Sequence, residues 1–225
     1  CFSEVGINVT CIDIDQKKIE GLKNGVMPIY EPGLEPMVKS NLEKGRLHFS
    51  TSLKDNLKDS EAVFIAVGTP PGEDGSADLK YVLAVAREVG QHMEDYMVVV
   101  TKSTVPVGMT DIVREIVCNQ INSKDSNLEF DVVSNPEFLR EGSAIEDFMR
   151  PNRVIIGCEN EKSKKIMENI YQPLNLIETP ILFTDLKSAE LIKYASNAFL
   201  AMKISFINHT SSRCVRPRRK IHFIK

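Results

Sequence analysis

Ala62-Val63-Phe64-Ile65-Ala66-Val67-Gly68 is an unbroken apolar run that ends on a glycine. Such runs are typical of strands in a parallel sheet that is covered on both faces. Comparable runs lie at Val9–Asp13, Met97–Thr101, Phe130–Val133 and Arg153–Gly157. The intervening segments 16–24, 34–44, 78–94, 108–122 and 161–171 have the spacing of amphipathic helices. This alternation predicts an α/β fold with a Rossmann-like, doubly wound, mainly parallel sheet.

The longest predicted helix covers residues 185–207, and Asp185 can cap its start. Its apolar positions surround most of the helix: Leu186, Ala189, Leu191, Ile192, Ala195, Phe199, Met202 and Phe206. A helix with such broad apolar coverage needs partners on several sides. We therefore expect it to pack against a second domain or a second subunit.

Composition narrows the class of protein. The 225 residues are 42% hydrophobic and 26% charged, which is typical of a soluble globular chain with one large domain or one domain plus an extension. The formal charge of −3 includes six basic residues and no acid in 209–225, so residues 1–208 carry −9. We expect no nucleic-acid partner, because no aromatic and basic platform accompanies this tail.

Five dispersed cysteines without zinc-ligand spacing predict reduced thiols, a cytoplasmic protein and no metal site. No apolar run approaches the ~20 residues of a membrane-spanning helix, so we expect no membrane association.

Acidic residues follow the first predicted strand. In Rossmann folds an acid at the position of Asp13 accepts hydrogen bonds from the adenosine ribose and disfavours a 2′-phosphate. Alternatively, Asp13 or Asp15 only caps the next helix. Both interpretations stay open at this point.

Polar loops follow three successive strands: Gly68-Thr69-Pro70-Pro71, Ser103–Gly108 and Asn135-Pro136-Glu137. Each loop alone is compatible with helix capping or with an ordinary strand end. Together they would converge at the carboxyl edge of the sheet, where α/β folds bind ligands. We predict that Asp13, Thr69, Thr104 and Glu141 line one crevice there.

Two further pairs can carry chemistry. Glu137 and Glu141 can accept a proton or contact a ligand, although surface acids near a helix start are the commoner explanation. Lys193 and Asn197 are four residues apart and share a helix face, either as a solvated stripe or as groups that stabilise an oxyanion.

The order and spacing of several motifs resemble the nucleotide-sugar dehydrogenase family, and its UDP-glucose 6-dehydrogenase branch in particular. The matching pieces are Val9–Asp15, Tyr30–Leu34, Val67–Pro71, Ser103–Gly108, Asn135–Ala144 and Lys193–Phe199. The resemblance implies an NAD-binding domain in residues 1–184 and the start of a central dimerisation helix in 185–208. Residues 209–225 form a basic tail that does not resemble the family.

The resemblance also implies a reaction and a site. The family uses NAD twice to oxidise the sugar C6 alcohol of UDP-glucose to a carboxylate, as a homodimer or larger homo-oligomer. By resemblance, the cofactor residues are Asp13, Lys18, Val67, Thr69, Thr104 and Glu141. The substrate residues would be Glu137, Phe138, Leu139, Arg140, Glu141, Lys193 and Asn197. Thr104 and Glu137 would manage the hydrolytic water, and Lys193 and Asn197 would stabilise the oxyanion.

Two family motifs are missing from these residues. No G-x-G-x-x-G precedes Asp13, and no cysteine lies in the G-G-S-C-like loop that supplies the family's nucleophile; Cys214 has a different setting. We expect a piece of a longer enzyme that binds NAD weakly and does not itself oxidise UDP-glucose. The alternatives are a truncated non-catalytic paralogue that binds a nucleotide or a partner, and a dehydrogenase for another nucleotide sugar. A 6-phosphogluconate or hydroxyacid dehydrogenase is disfavoured by Asn135–Ala144.

Overall fold

A computed structural model describes residues 1–73, 75–124, 127–174 and 180–214, and side chains of the last helix up to Ser211. Its strands form a two-stranded sheet, β1-β2, and a five-stranded sheet in the order β3-β4-β5-β6-β7. All pairings are parallel except the single antiparallel pair between Ser134 and Gly157, which joins β5 to β6. The strands are β1 Val9–Ile12, β2 Leu47–Ser50, β3 Ala62–Ile65, β4 Met97–Thr101, β5 Phe130–Ser134, β6 Val154–Gly157 and β7 Ile181–Thr184.

Helices connect the strands as the alternating pattern predicts. They are α1 Gln16–Lys23, α2 Leu34–Glu43, α3 Lys54–Leu57, α4 Lys80–His92, α5 Met109–Asn122, α6 Ala144–Met149, α7 Glu161–Tyr171 and α8 Leu186–Cys214, with a 3₁₀ turn at Gln172–Leu174. The Asp15 carboxylate accepts hydrogen bonds from the backbone N–H groups of Lys17 and Lys18 and so caps α1. The predicted Rossmann-like α/β fold, with its long final helix, is confirmed.

Both faces of the five-stranded sheet are covered. Val99 of β4 lies in a core cluster with Val82 and Val89 of α4, whereas its neighbours Val98 and Val100 lie in a second cluster on the other face. This division follows from the two-residue period of a strand. It also explains why the strand sequences are continuously apolar rather than alternating.

The two-stranded sheet lies beside the larger one. Ile12 at the end of β1 packs against the same core cluster as Val63 and Val67, although no backbone pairing joins β1 to β3. The carboxyl ends of β1 and β3 therefore belong to neighbouring but separate sheets. The crevice predicted for Asp13, Thr69, Thr104 and Glu141 would have to span both sheets.

Several elements differ from the sequence prediction. Residues 2–6 form turns held by hydrogen bonds such as the one from the Glu4 N–H to the Cys1 carbonyl oxygen. The final helix extends to Cys214 instead of ending at residue 207, because neither proline nor glycine interrupts it. The first turns of α8 pack closely against β6. This approach requires glycine at position 157 of β6, because a Cβ there would lie 2.7 Å from the Ala189 side chain.

Candidate functional site

Strands β3, β4 and β5 end at the same edge of the sheet. Their register aligns Ile65 with Thr101 and Thr101 with Ser134. Because all three strands are parallel, the three polar loops predicted from sequence begin side by side. This edge is where a ligand crevice forms in α/β folds.

The first two loops are joined directly. The Thr69 hydroxyl donates a hydrogen bond to the Thr104 carbonyl oxygen at 3.0 Å. The Ser103 hydroxyl donates to the Val67 carbonyl oxygen at 2.6 Å. Val67, Thr69 and Thr104, all predicted cofactor residues, therefore lie in two adjacent loops that are joined by hydrogen bonds.

The third loop is fixed at its start by a buried amide. The Asn135 Nδ2 group donates to the Ile155 carbonyl oxygen at 2.8 Å, and its Oδ1 accepts a hydrogen bond from the Tyr171 hydroxyl. Burial raises the pKa of the Tyr171 hydroxyl, which keeps it protonated as a donor. The Lys102 ammonium is farther away, at 3.4 Å from the Asn135 carbonyl oxygen.

Glu137 links the third loop to the long helix. Its Oε2 accepts a hydrogen bond from the Leu139 N–H at 2.6 Å, and its Oε1 lies 3.0 Å from the Lys193 ammonium. The Lys193 side chain is 9% exposed and the Glu137 side chain 31% exposed. The structure therefore brings together two predicted catalytic residues that are far apart in sequence.

Two cationic side chains lie near Phe138 in the middle of this loop. The Phe138 ring lies 4.9 Å from the Arg153 guanidinium and 5.3 Å from the Lys193 ammonium. Arg140 binds Asp147 through its guanidinium, with Nη2 2.7 Å from Oδ1, and its backbone N–H donates to Oδ2 at 2.9 Å. The Arg140 guanidinium lowers the pKa of the Asp147 carboxyl. The exposed side chain of Leu139 lies between these contacts in sequence.

A cavity of about 100 Å³ opens beside this loop. Its lining combines apolar groups with three cationic side chains: Lys102, Asn135, Pro136, Glu137, Phe138, Leu139, Asp147, Phe148, Arg150, Pro151, Asn152, Arg153, Val154 and Tyr171. An apolar wall with converging polar groups is typical of a small-molecule site. The lining also contains the Glu137 and Asp147 carboxylates, so its three cations and two anions leave one net positive charge.

Lys193 and Asn197 lie on α8 as predicted, but in different environments. Lys193 is buried, whereas Asn197, one turn later, is exposed. The Asp185 carboxylate caps the helix start, because its Oδ1 accepts a hydrogen bond from the Ser188 N–H at 2.8 Å. The buried face that includes Leu186, Ala189 and Glu190 explains why Lys193 is enclosed.

The acid predicted to bind ribose is available at the end of β1. Asp15 caps α1, whereas Asp13 is paired with Lys18, which lowers the pKa of the Asp13 carboxyl. Asp13 is therefore not the residue that caps α1. Glu141 is exposed, and Asp13 has no direct hydrogen bond to Thr69, Thr104 or Glu141 among the described contacts. Their shared crevice stays a prediction.

No cysteine side chain described by the structure lines this cavity. Burial raises the pKa of the Cys158 thiol, which disfavours the reactive thiolate. The side chain of Cys214 lies outside the described part. Within that part, no three His, Cys, Asp or Glu side chains are grouped as metal ligands would be. No described helix has the length and apolar character needed to cross a membrane.

The sequence did not assign Lys102 or Arg153 to the site, yet both line the cavity. Arg153 is predicted only as the start of a strand. Their positions depend on contacts between distant segments, so residue type alone does not identify them.

The sheet, its helices and the polar loops at its carboxyl edge define the Rossmann-like class of nucleotide-binding proteins. Residues 1–175 match the NAD binding domain of the UDP-glucose/GDP-mannose dehydrogenase family, and residues 187–220 match its central domain. The chain belongs to this family, which confirms the resemblance found in the sequence.

Close relatives share this assignment. The chain is 50% identical to a UDP-glucose 6-dehydrogenase of Rhizobium meliloti, over 95% of this chain and 49% of that relative. It is also 50% identical to UDP-glucose 6-dehydrogenase TuaD of Bacillus subtilis, over 96% of this chain and 46% of the relative. Among solved structures, a UDP-glucose dehydrogenase from Pyrobaculum islandicum matches with a TM-score of 0.85 and 43% identity, covering 93% and 48% of the two chains. The chain thus spans about half the length of the relatives it matches.

Proposed function

We propose that this chain contributes the cofactor domain and the substrate loop of an NAD-dependent UDP-glucose 6-dehydrogenase. The observation that carries the proposal is the 3.0 Å contact between Lys193 and Glu137 beside the cationic cavity. It joins the long helix to the loop that resembles the family's substrate loop. The names of the relatives supply the substrate class.

The side chains present fit part of the NAD molecule. Asp13 would accept hydrogen bonds from the adenosine ribose, and Thr69 and Thr104 would line the crevice farther along the edge. A 2′-phosphate would be repelled by the Asp13 carboxylate. NAD would accept hydride from the sugar, whereas the glycine loop that binds its pyrophosphate is missing from residues 1–225.

The substrate would occupy the loop and the cavity. Backbone groups of Phe138, Leu139 and Arg140 would contact the nucleotide sugar, with the nearby cations offsetting the negative charge of its diphosphate. The Lys193 ammonium is held in place by Glu137 and would stabilise negative charge that develops on the C6 oxygen. Asn197 would donate a second hydrogen bond, and Thr104 with Glu137 would orient the hydrolytic water.

The assembly and the cellular location are also proposals. Exposed apolar side chains along α8 support a homodimer or larger homo-oligomer, among them Leu191, Phe199, Met202 and Phe206. The dispersed cysteines support a cytoplasmic location. The domain boundaries at residues 184 and 208 remain predictions.

The test is an affinity ranking by calorimetry on the 225-residue chain. UDP-glucose, GDP-mannose and UDP-N-acetylglucosamine are titrated separately, with UMP as a reference ligand. We expect UDP-glucose to bind most tightly of the three sugars. Tighter binding of another sugar would support the alternative dehydrogenase. No binding of any of them would favour the non-catalytic paralogue.

A further inference from the structure

Glu31 makes an unusual contact with the substrate loop. It lies between α1 and α2, and its two carboxylate oxygens accept hydrogen bonds from the backbone N–H groups of Gly142 and Ala144, both at 2.8 Å. The partners are 111 and 113 residues away in sequence. Hydrogen bonds from backbone N–H groups to a carboxylate are charge-assisted and stronger than neutral ones.

This contact joins two parts of the fold that share no strand pairing. The segment that carries Glu31 connects the helices packed on the two-stranded sheet, whereas Gly142 lies in the loop that follows β5 of the larger sheet. Gly33, two residues after Glu31, faces the same segment, since a Cβ added at Gly33 would lie 3.8 Å from the Ile145 side chain. The observed junction itself consists of the two hydrogen bonds of Glu31.

Gly142 is in a backbone conformation that depends on glycine. Its φ of 82° lies in the left-handed region, and the turn directs its N–H toward Glu31. On the other side of Glu141, Arg140 is held by Asp147. Glu141 thus lies in a short segment that is anchored at both ends.

We propose that Glu31 is a positioning residue that fixes the Arg140–Ala144 segment of the substrate loop, and with it Glu141. The effect of Glu31 on ligand binding rests on the proposed function. The two hydrogen bonds of Glu31 do not depend on it, because they are observed in the fold. Glu31 would act through the backbone of the loop without touching the substrate.

A simpler explanation is that Glu31 only caps α6, a helix of six residues that starts at Ala144. A cap would affect the amides that it binds and little else. A positioning residue would also restrain Arg140 and Glu141, which precede the bound amides. The two explanations therefore predict different results at residues 140 and 141.

The experiment compares Glu31→Gln with Glu35→Gln on the ¹⁵N-labelled 225-residue chain. Glu35 is the matched control, because it lies four residues away, is exposed and pairs only with Lys39 in the described contacts. Amide exchange and backbone relaxation are measured by NMR. We expect E31Q to exchange the Gly142 and Ala144 amides about tenfold faster. We also expect lower order at Arg140 and Glu141, with E35Q unchanged.

Three results would overturn the proposal. Unchanged amide exchange in E31Q would show that the contact does not restrain the loop. Faster exchange confined to Gly142 and Ala144, with normal order at Arg140 and Glu141, would leave only a helix cap. Equal effects of E31Q and E35Q would indicate a general effect of lost charge. If E31Q unfolds, the shorter Glu31→Asp is measured in the same way, with intermediate effects at the same four residues expected.

A ligand titration separates this inference from the proposed function. UDP-glucose affinity is measured for the wild type and for E31Q, and we expect roughly a threefold to tenfold loss, or about 1 kcal/mol. If the wild type does not bind UDP-glucose, the proposed function fails, whereas exchange and relaxation still decide the role of Glu31. Wild-type binding with equal affinity in E31Q would contradict a role in the substrate site.

Discussion

Glu190 on α8 accepts two hydrogen bonds from Thr110 on α5, one from the backbone N–H at 2.8 Å and one from the hydroxyl at 2.6 Å. A third comes from the Gly108 N–H at 2.6 Å. A carboxylate at this place satisfies unpaired N–H groups and complements the positive end of the helix dipole. This contact holds α8 against the end of the loop that carries Thr104, and Lys193 follows one turn later on α8.

Glu190→Ala should destabilise the fold. The substitution leaves three donors without their acceptor in a buried site, so we expect a loss of about 2–4 kcal/mol in the free energy of unfolding. Urea denaturation measures the change. Glu168→Ala on α7 is the control, because Glu168 is exposed, and it should change stability by less than about 0.5 kcal/mol. Equal losses in both variants would show that the Glu190 contact contributes little.

Lys102 should make stability depend on pH. Burial lowers its pKa from 10.5 to about 8, an effect that Glu137 opposes and Lys193 reinforces. Between pH 8 and 10.5 the unfolded chain binds a proton that the folded chain has lost, so this group makes stability rise with pH in that window. Below pH 8 both states are protonated, and the destabilising contribution is constant.

Lys102→Met removes this dependence. We expect the variant to be more stable than the wild type near pH 7, with the difference shrinking by about 1–3 kcal/mol between pH 8 and pH 10. Urea denaturation at several pH values measures it, and Lys44→Met, at an exposed lysine, is the control. Parallel pH profiles of wild type and K102M would contradict the lowered pKa.

The pairing of Asp13 with Lys18 predicts a change in nucleotide preference. Asp13→Asn removes the negative charge and releases the Lys18 ammonium, which can then bind a 2′-phosphate. We expect the affinity for 2′,5′-ADP relative to ADP to rise by about tenfold, measured by NMR titration. Asp15→Asn is the matched control, since it loses the same charge at the cap of α1. The same ratio in both variants would argue against contact between Asp13 and the ribose.

The exposed face of α8 should drive self-association. Phe199 is 59% and Phe206 66% exposed, which is unusual for aromatic side chains on one helix. We expect the chain to associate at tens of micromolar, roughly the range where exposed apolar surface causes association. Sedimentation velocity measures it.

The double variant Phe199→Ser, Phe206→Ser should shift this equilibrium toward monomer. The control is Tyr30→Ser, which removes a 91% exposed aromatic ring away from α8. A wild-type chain that is monomeric in this concentration range would contradict the prediction. Association that persists in the double variant would locate the contact elsewhere.

The strands that the sequence predicted correctly have long apolar runs, whether every residue is buried, as in Met97–Thr101, or none is fully buried, as in Val9–Ile12. Leu47–Ser50 and Ile181–Thr184 were missed, because each strand has only four residues. Such short segments are difficult to distinguish from loops by their sequence pattern.

The candidate site, too, was only partly predictable from the sequence. Motif spacing identified Glu137 and Lys193, and the structure pairs them. It could not identify the partners of Glu190 and Glu31, because these carboxylates bind backbone N–H groups that any residue except proline carries. The lowered pKa of Lys102 likewise arises from surrounding segments, which a local sequence pattern does not contain.

The central claim is that the loop beside Lys193 binds the nucleotide sugar. The most direct measurement is a ¹⁵N chemical-shift titration of the wild type and of Lys193→Met with UDP-glucose, up to about 10 mM so that binding near 1 mM is detected. We predict shifts concentrated at residues 137–141 and at Lys193 and Asn197, with at least a severalfold loss of affinity in K193M. Shifts confined to another surface, or identical titrations of the two proteins, would contradict the account.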